Sequence, residues 1–242
     1  DLFLTKIEGN GTYGWTKTLG GLDRDEGSAV TVDKLGNVYV VGSIRNQVDL
    51  DPDPTTLLHN SMDTDLVIMK IDGGGAFAWS KVIAGGGFQI GKGVATTQLG
   101  DVYLTGQFSG SPDFDPGMGT DFRSSTGETD IFLTKINASG SYGWTYTLGS
   151  GGVTSEQGLN LVPDKFNNIY VAGSYQGTVD FDPGTNVSSH ITRGGHDAFV
   201  IRFDADGQFR WVQTFGGTLD DFANGVAIDN LGQLFVAGTF RD

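Results

Sequence analysis

The chain has 242 residues, 39 of them glycine and none cysteine, and a formal net charge of −14. Hydrophobic residues at 38% and aromatics at 11% supply a core and exclude a disordered chain, while glycine without a Gly-X-Y period excludes collagen. The missing cysteine removes disulfides and thiolate chemistry, no apolar run reaches 18 residues, and the acidic balance opposes binding to a phosphate backbone.

Taken in chain order, the first segment is DLFLTKI (1–7), a strand pattern of alternating and β-branched residues. An aromatic-x-Trp block follows at Tyr13 and Trp15, then an acidic loop holding Asp23, Asp25 and Glu26. Next come the strand AVTVD (29–33), the tight turn DKLGN (33–37), the strand GNVYVVGS (36–43) and a long excursion over 45–64. The whole series then begins again. DLVIMKI (65–71), DIFLTKI (130–136) and DAFVIRF (197–203) match the first segment. Trp79, Trp144 and Trp211 follow Trp15 at spacings of 64, 65 and 67. GDVYLTGQ (100–107), NNIYVAGS (167–174) and GQLFVAGT (232–239) match the block at 36–43. The repeats therefore run 1–64, 65–129, 130–196 and 197–242, the last one partial.

Four short strands per repeat, punctuated by glycine turns and marked by one tryptophan, predict an all-β fold: a β-propeller of four-stranded antiparallel blades. A β-solenoid is the rival, but its repeat is usually shorter. The strand ending in Asp is expected innermost, with the Trp-bearing strand outermost. In that phase the chain opens on two outer strands and ends on two inner ones. The two ends are expected to complete one composite blade in a single domain over 1–242. A fragment of a larger propeller fits the same phase.

The blocks GNVYVVGS, DIFLTKINASGSYGWTYTLG and GTVDFDPG resemble SBBP repeats, the propeller-type repeats of bacterial secreted and surface proteins. The resemblance covers the chain four times over. It implies display outside the cell within a longer polypeptide, interaction in place of catalysis, and no assigned catalytic residues.

The most unusual motif is Asp-x-Asp-Pro: Asp49 and Asp51, Asp113 and Asp115, Asp180 and Asp182. In an extended segment, residues two apart face one side, so each pair of carboxylates projects together. With loop carbonyls, such a pair suits Ca²⁺. The alternatives are structural. The aspartates cap backbone N–H groups of a turn, or they pair with the one cation of the strand that follows, Lys6, Lys70, Lys135 or Arg202. The structural readings carry more weight, and no cofactor is assigned. The loop acids Asp23, Asp25, Glu26, Glu156, Asp220 and Asp221 read as solvated loop residues.

Enzyme signals are poor. Residues 86–93 approach a P-loop, but Gly93 stands where a hydroxyl is needed and a strand follows in place of a helix. His59, His190 and His196 fall in the excursions without metal-ligand spacing. The reading is a non-enzymatic extracellular module that binds protein or glycan, with no nucleic acid partner and no membrane insertion. A lectin with repeated sites is the runner-up, and a two-carboxylate glycoside-cleaving enzyme stands third.

Overall fold

The computed structural model describes residues 1–241 and contains strands but no helix among them. The chain opens with a hairpin of β1 (Leu2–Ile7) and β2 (Tyr13–Gly21). A four-stranded unit follows: β3 (Glu26–Val32), β4 (Val38–Asp49), β5 (Leu58–Ile71) and β6 (Phe77–Gly86). The next holds β7 (Gln89–Thr96), β8 (Val102–Phe108), the short β9 (Ser111–Asp113), β10 (Asp130–Ile136) and β11 (Tyr142–Leu148). The third holds β12 (Gln157–Pro163), β13 (Ile169–Tyr175), the short pair β14 (Thr178–Asp180) and β15 (Ser189–Ile191), then β16 (Asp197–Phe203) and β17 (Phe209–Phe215). A hairpin of β18 (Phe222–Ile228) and β19 (Leu234–Thr239) ends the series.

The pairing orders are β3-β4-β5-β6, β7-β8-β10-β11 and β12-β13-β16-β17, all antiparallel. These are three complete blades flanked by two half-blades. The innermost strands β3, β7, β12 and β18 neighbour one another in that order. Register is pinned by bulges at repeated places. The outer pair slips between Lys6 and Ile7, Lys70 and Ile71, Lys135 and Ile136, and Arg202 and Phe203. A bulge adds local twist, which each blade needs to face its neighbour. The core lies between blades. Tyr39, Leu66 and Ile68 of the first pack against Leu104, Phe108 and Phe132 of the second.

Two expectations change. The excursion over 45–64 is not a loop: β4 and β5 extend into it and pair as far as Asp49 with Leu58. Buried Val48 and Leu50 give this extension an apolar face. Its end reaches the outer strand of the preceding unit, with Gly20 opposite Asp49, and β9 repeats the link with Ala84 opposite Asp113. The composite blade is not made either. Among the described residues β1 pairs only with β2 and β19 only with β18, so each keeps one free edge.

Candidate interaction face at the hairpin tips

Each inner hairpin turns through a short loop whose first residue caps it. Asp33 Oδ1 accepts the N–H groups of Leu35 and Asn37, both at 2.9 Å. Asp164 does the same for Phe166 and Asn168, and Asp229 for Leu231 and Gln233. In the second repeat the Thr97 hydroxyl accepts from the N–H of Asp101. Burial pushes the Asp33 carboxyl upward, but hydrogen bonds from Asn37, Leu35 and Tyr39 more than offset it and hold it below its ordinary value. The turn closes through a left-handed residue: Gly36, Gly100, Asn167 and Gly232, with φ of 82, 87, 64 and 83°.

This geometry leaves one large apolar side chain outward at the same place in every repeat. Leu35, Leu99, Phe166 and Leu231 are 84, 69, 67 and 83% exposed. Neighbouring tips are tied laterally. Lys34 Nζ donates to Gln98 Oε1 at 3.0 Å, and Gln98 N–H donates to Asn167 Oδ1 at 2.9 Å. Between the last two tips lies a cavity of about 210 Å³ lined by Pro163, Lys165, Phe166 and Ile228. Sequence reasoning quoted these turns for their glycines and passed over the leucines. The signal was present: an apolar residue recurs at a turn position where Asn, Asp and Ser prevail.

The Asp-x-Asp-Pro segments lie at the opposite end of the blades. Asp49 Oδ1 accepts from the N–H of Asp51 and Leu57, Asp113 Oδ1 from Asp115 and Asp121, and Asp180 Oδ1 from Asp182 and Ser188. Asp51, Asp115 and Asp182 each cap the residue two further on. The intervening Leu50, Phe114 and Phe181 are buried. Each motif is a pair of nested turns, and its carboxylates are aimed at backbone. Among the described residues no three His, Asp or Glu side chains converge as metal ligands would.

The expected pairing of these aspartates with the strand cations is wrong. Lys135 pairs with Asp101 at 2.7 Å and Lys6 with Glu8 at 2.9 Å. The cations lie over the aromatic rings of the inner hairpins: Lys70 over Tyr39 at 5.2 Å, Lys135 over Tyr103 and Arg202 over Tyr170, both at 5.8 Å. The reason is distance along the strand. Each cation sits five residues beyond the aspartate that opens its repeat, and about 3.3 Å per residue carries it toward the far edge of the blade. In the first repeat Asp53 after the proline does meet a cation, Lys17. That contact, with an N–H from Phe77, holds the Asp53 carboxyl below its ordinary value.

The loop acids are not all solvated. Asp25, Glu156 and Asp221 are buried at the blade junctions. Asp25 caps Gly21 and Arg45, and Asp221 caps Gly217 and Arg241. Burial pushes Glu156 up to about 7; a hydrogen bond from Ser150 works against this and the Asp130 charge adds to it. Beside it runs a chain from the Ser155 hydroxyl to His196 Nε2 at 2.9 Å, and from His196 Nδ1 to Asp220 Oδ1 at 3.0 Å. The order hydroxyl, imidazole, carboxylate is that of a proton relay. Here it joins three separate loop segments, with the imidazole stacked on Phe222. Backbone hydrogen bonding and the His196 side chain hold the Asp220 carboxyl below its ordinary value.

The tryptophans occupy equivalent places and are half-buried. Trp79, Trp144 and Trp211 lean on Tyr39, Tyr103 and Tyr170 at ring distances of 6.1, 5.8 and 6.0 Å. Trp144 also fills the space left by Gly207 of the next blade, where an added Cβ would sit 2.7 Å from the ring.

Comparison with known proteins agrees with this architecture. Residues 14–46 match the model of the SBBP β-propeller repeat. The chain is also similar to an uncharacterized WD repeat-containing protein of Acanthamoeba polyphaga mimivirus. Identity is 25% over 261 residues, covering 92% of this chain and 19% of that protein. The chain thus spans about a fifth of the length of the curated relative it matches.

Proposed function

We propose that this chain, which carries an SBBP β-propeller repeat, is a non-enzymatic interaction module that receives a protein partner on its hairpin-tip face. One observation carries the reading: Leu35, Leu99, Phe166 and Leu231 are exposed at the same turn position of four successive repeats. A single exposed apolar residue is ordinary, but four recurring at one place on adjoining tips, the first three of them tied laterally, supply an apolar surface of the kind that receives a partner. The net charge of −14 favours a partner whose apolar contacts are flanked by basic residues. The resemblance to repeats of exported bacterial proteins supports a place outside the cell.

A glycan-binding reading is favoured by the half-buried tryptophans that recur in each blade, each leaning on a buried tyrosine. The two readings separate by experiment. A random peptide library and a glycan array are both presented to the folded chain. Peptides with apolar and basic residues should be retained. Leu35→Ser, Leu99→Ser, Phe166→Ser and Leu231→Ser combined should abolish retention while leaving the melt within about 2 °C, since exposed substitutions cost little. Retention of glycans alone, lost on Trp144→Ala, would replace the protein-binding reading.

A further inference from the structure

The third and fourth hairpin tips are not tied as the others are. The first tip reaches the second through Lys34 Nζ and Gln98 Oε1, and the second reaches the third through Gln98 N–H and Asn167 Oδ1. In the fourth tip the counterpart of Asn167 is Gly232, which has no side chain to accept from Lys165 N–H. Among the described residues no hydrogen bond joins the turn at 164–168 to the turn at 229–233, and the cavity of about 210 Å³ opens between them.

Of the three capping aspartates, the one beside this cavity is incompletely used. Asp33 Oδ2 accepts from Asn37 Nδ2 at 2.8 Å and from Tyr39 Oη at 3.2 Å. Asp164 Oδ2 accepts from Asn168 Nδ2 at 2.6 Å and from Tyr170 Oη at 3.4 Å. In the fourth hairpin Gln233 and Phe235 stand at those places. Asp229 Oδ1 holds its turn, but Oδ2 has no hydrogen-bond or ion-pair partner among the described residues. The partners of Asp33 and Asp164 come from their own hairpins, so the difference at Asp229 lies in its hairpin's own side chains. Asp229 lines the cavity, and Pro163, Phe166 and Ile228 give it apolar walls. The Phe166 ring already carries a cation, since Lys165 Nζ lies 5.2 Å from its centroid. Pockets that enclose whole small molecules measure about 300–1,000 Å³, so this smaller one has room for a single side chain.

We propose that the cavity receives an arginine side chain of an extended peptide partner. The proposal rests on the hairpin-tip reading and adds the residue that the partner presents. Arginine fits on three counts. Its methylene stem packs on Pro163 and Ile228, its planar guanidinium stacks on Phe166, and its N–H groups donate to Asp229 Oδ2. Lysine has no planar fork and is more strongly hydrated. The carboxylates of Asp164 and Asp229 outweigh the one ammonium of Lys165, which leaves the site negative like the chain as a whole. Lys165 is exposed and yields the ring face to the entering guanidinium.

The test uses the peptide that the folded chain retains most strongly from the random library, synthesised with its arginine and with citrulline, which keeps the shape and loses the charge. Isothermal titration calorimetry reads both. The proposal expects the retained peptides to share one arginine, and citrulline to weaken binding at least about tenfold, the size of a charge-assisted hydrogen bond. Asp229→Asn should weaken the arginine peptide equally and leave the citrulline peptide unchanged, a coupling that damage to the turn would not produce. Gly232→Asn should supply the missing tie and close the cavity, with a similar loss of binding and a melt within about 2 °C of the original. Asparagine tolerates the φ of 83° there, and an added Cβ meets nothing within 4 Å. Peptides that lose binding on Leu35→Ser but share no arginine would overturn the proposal and leave the hairpin-tip reading standing. So would indifference to citrulline, to Asp229→Asn or to Gly232→Asn. No retained peptide, or retention that survives the four serine substitutions, would overturn both.

Discussion

Replacing Asp113 separates a capped turn from a metal ligand. Its Oδ1 accepts two backbone N–H groups, from Asp115 at 3.0 Å and Asp121 at 2.8 Å. Asp113→Ala removes both hydrogen bonds. At a net of about 0.5–1.5 kcal/mol per hydrogen bond the loss is about 1–3 kcal/mol. Asp113 is only half-buried, and water recovers part of this, leaving about 1–2 kcal/mol. For a domain of this size 1 kcal/mol moves Tm by about 2–4 °C, so the expected fall is about 2–8 °C. Asp113→Asn keeps an acceptor oxygen in the same place and should lose less than half as much. Differential scanning calorimetry of the three proteins, each with and without a chelator, reads the result. If the turn reading holds, Asn is milder than Ala and the chelator changes nothing. An Asn variant as damaged as Ala, or a wild-type Tm that falls on chelation, would refute it, because a Ca²⁺ site depends on the charge that Asn removes.

Trp144→Ala should cost about 3 kcal/mol in denaturant unfolding, the low end for a large aromatic because the indole is half-buried. Gly207→Ala, at φ 80° and against that indole, should cost about 1–3 kcal/mol, and less in the tryptophan variant, where the clash is gone and only the backbone cost remains. Glu156 holds its proton in the folded state up to about pH 7, whereas the unfolded group loses it near 4.5. The folded state therefore binds the extra proton between these values, and stability should decline as pH rises from 4.5 to 7. Glu156→Gln should flatten that decline in melts across the same range, and an unaltered slope would contradict the burial argument. Ser155 should resist diisopropyl fluorophosphate, and His196→Ala should lower Tm; stoichiometric labelling of Ser155, seen by intact mass, would turn the junction relay into a nucleophile.

Much of the fold was legible because every local signal recurs. Four tryptophans at nearly equal spacing, the repeated strand leading from Asp1, Asp65, Asp130 and Asp197, and the recurring turn after each inner strand all express one repeating unit. In Asp-Phe-Asp-Pro the phenylalanines Phe114 and Phe181 are buried and the aspartates accept backbone N–H groups, which is local turn chemistry that composition can express. What failed was long-range. The partner of Lys135 proved to be Asp101, and which end of a strand a side chain occupies follows from topology, not from spacing in sequence. The acids at 25, 156 and 221 look solvated in their polar loops, yet the junction closes over them. The extended β4–β5 hairpin was hidden because Arg45, Asn46 and Gln47 interrupt its apolar pattern. The outward leucines of the turns were visible but read for their glycine neighbours.

The account rests on recognition at the hairpin tips, and amide hydrogen exchange with and without a peptide selected on the folded chain tests it most directly. Binding should slow exchange in residues 33–37, 97–101, 164–168 and 229–233 together, because these turns form one surface whose first three tips are laterally tied. The loops at the opposite end, 21–25, 150–155 and 217–221, should exchange as before. Slowing confined to those opposite loops, with the four turns unchanged, would contradict it.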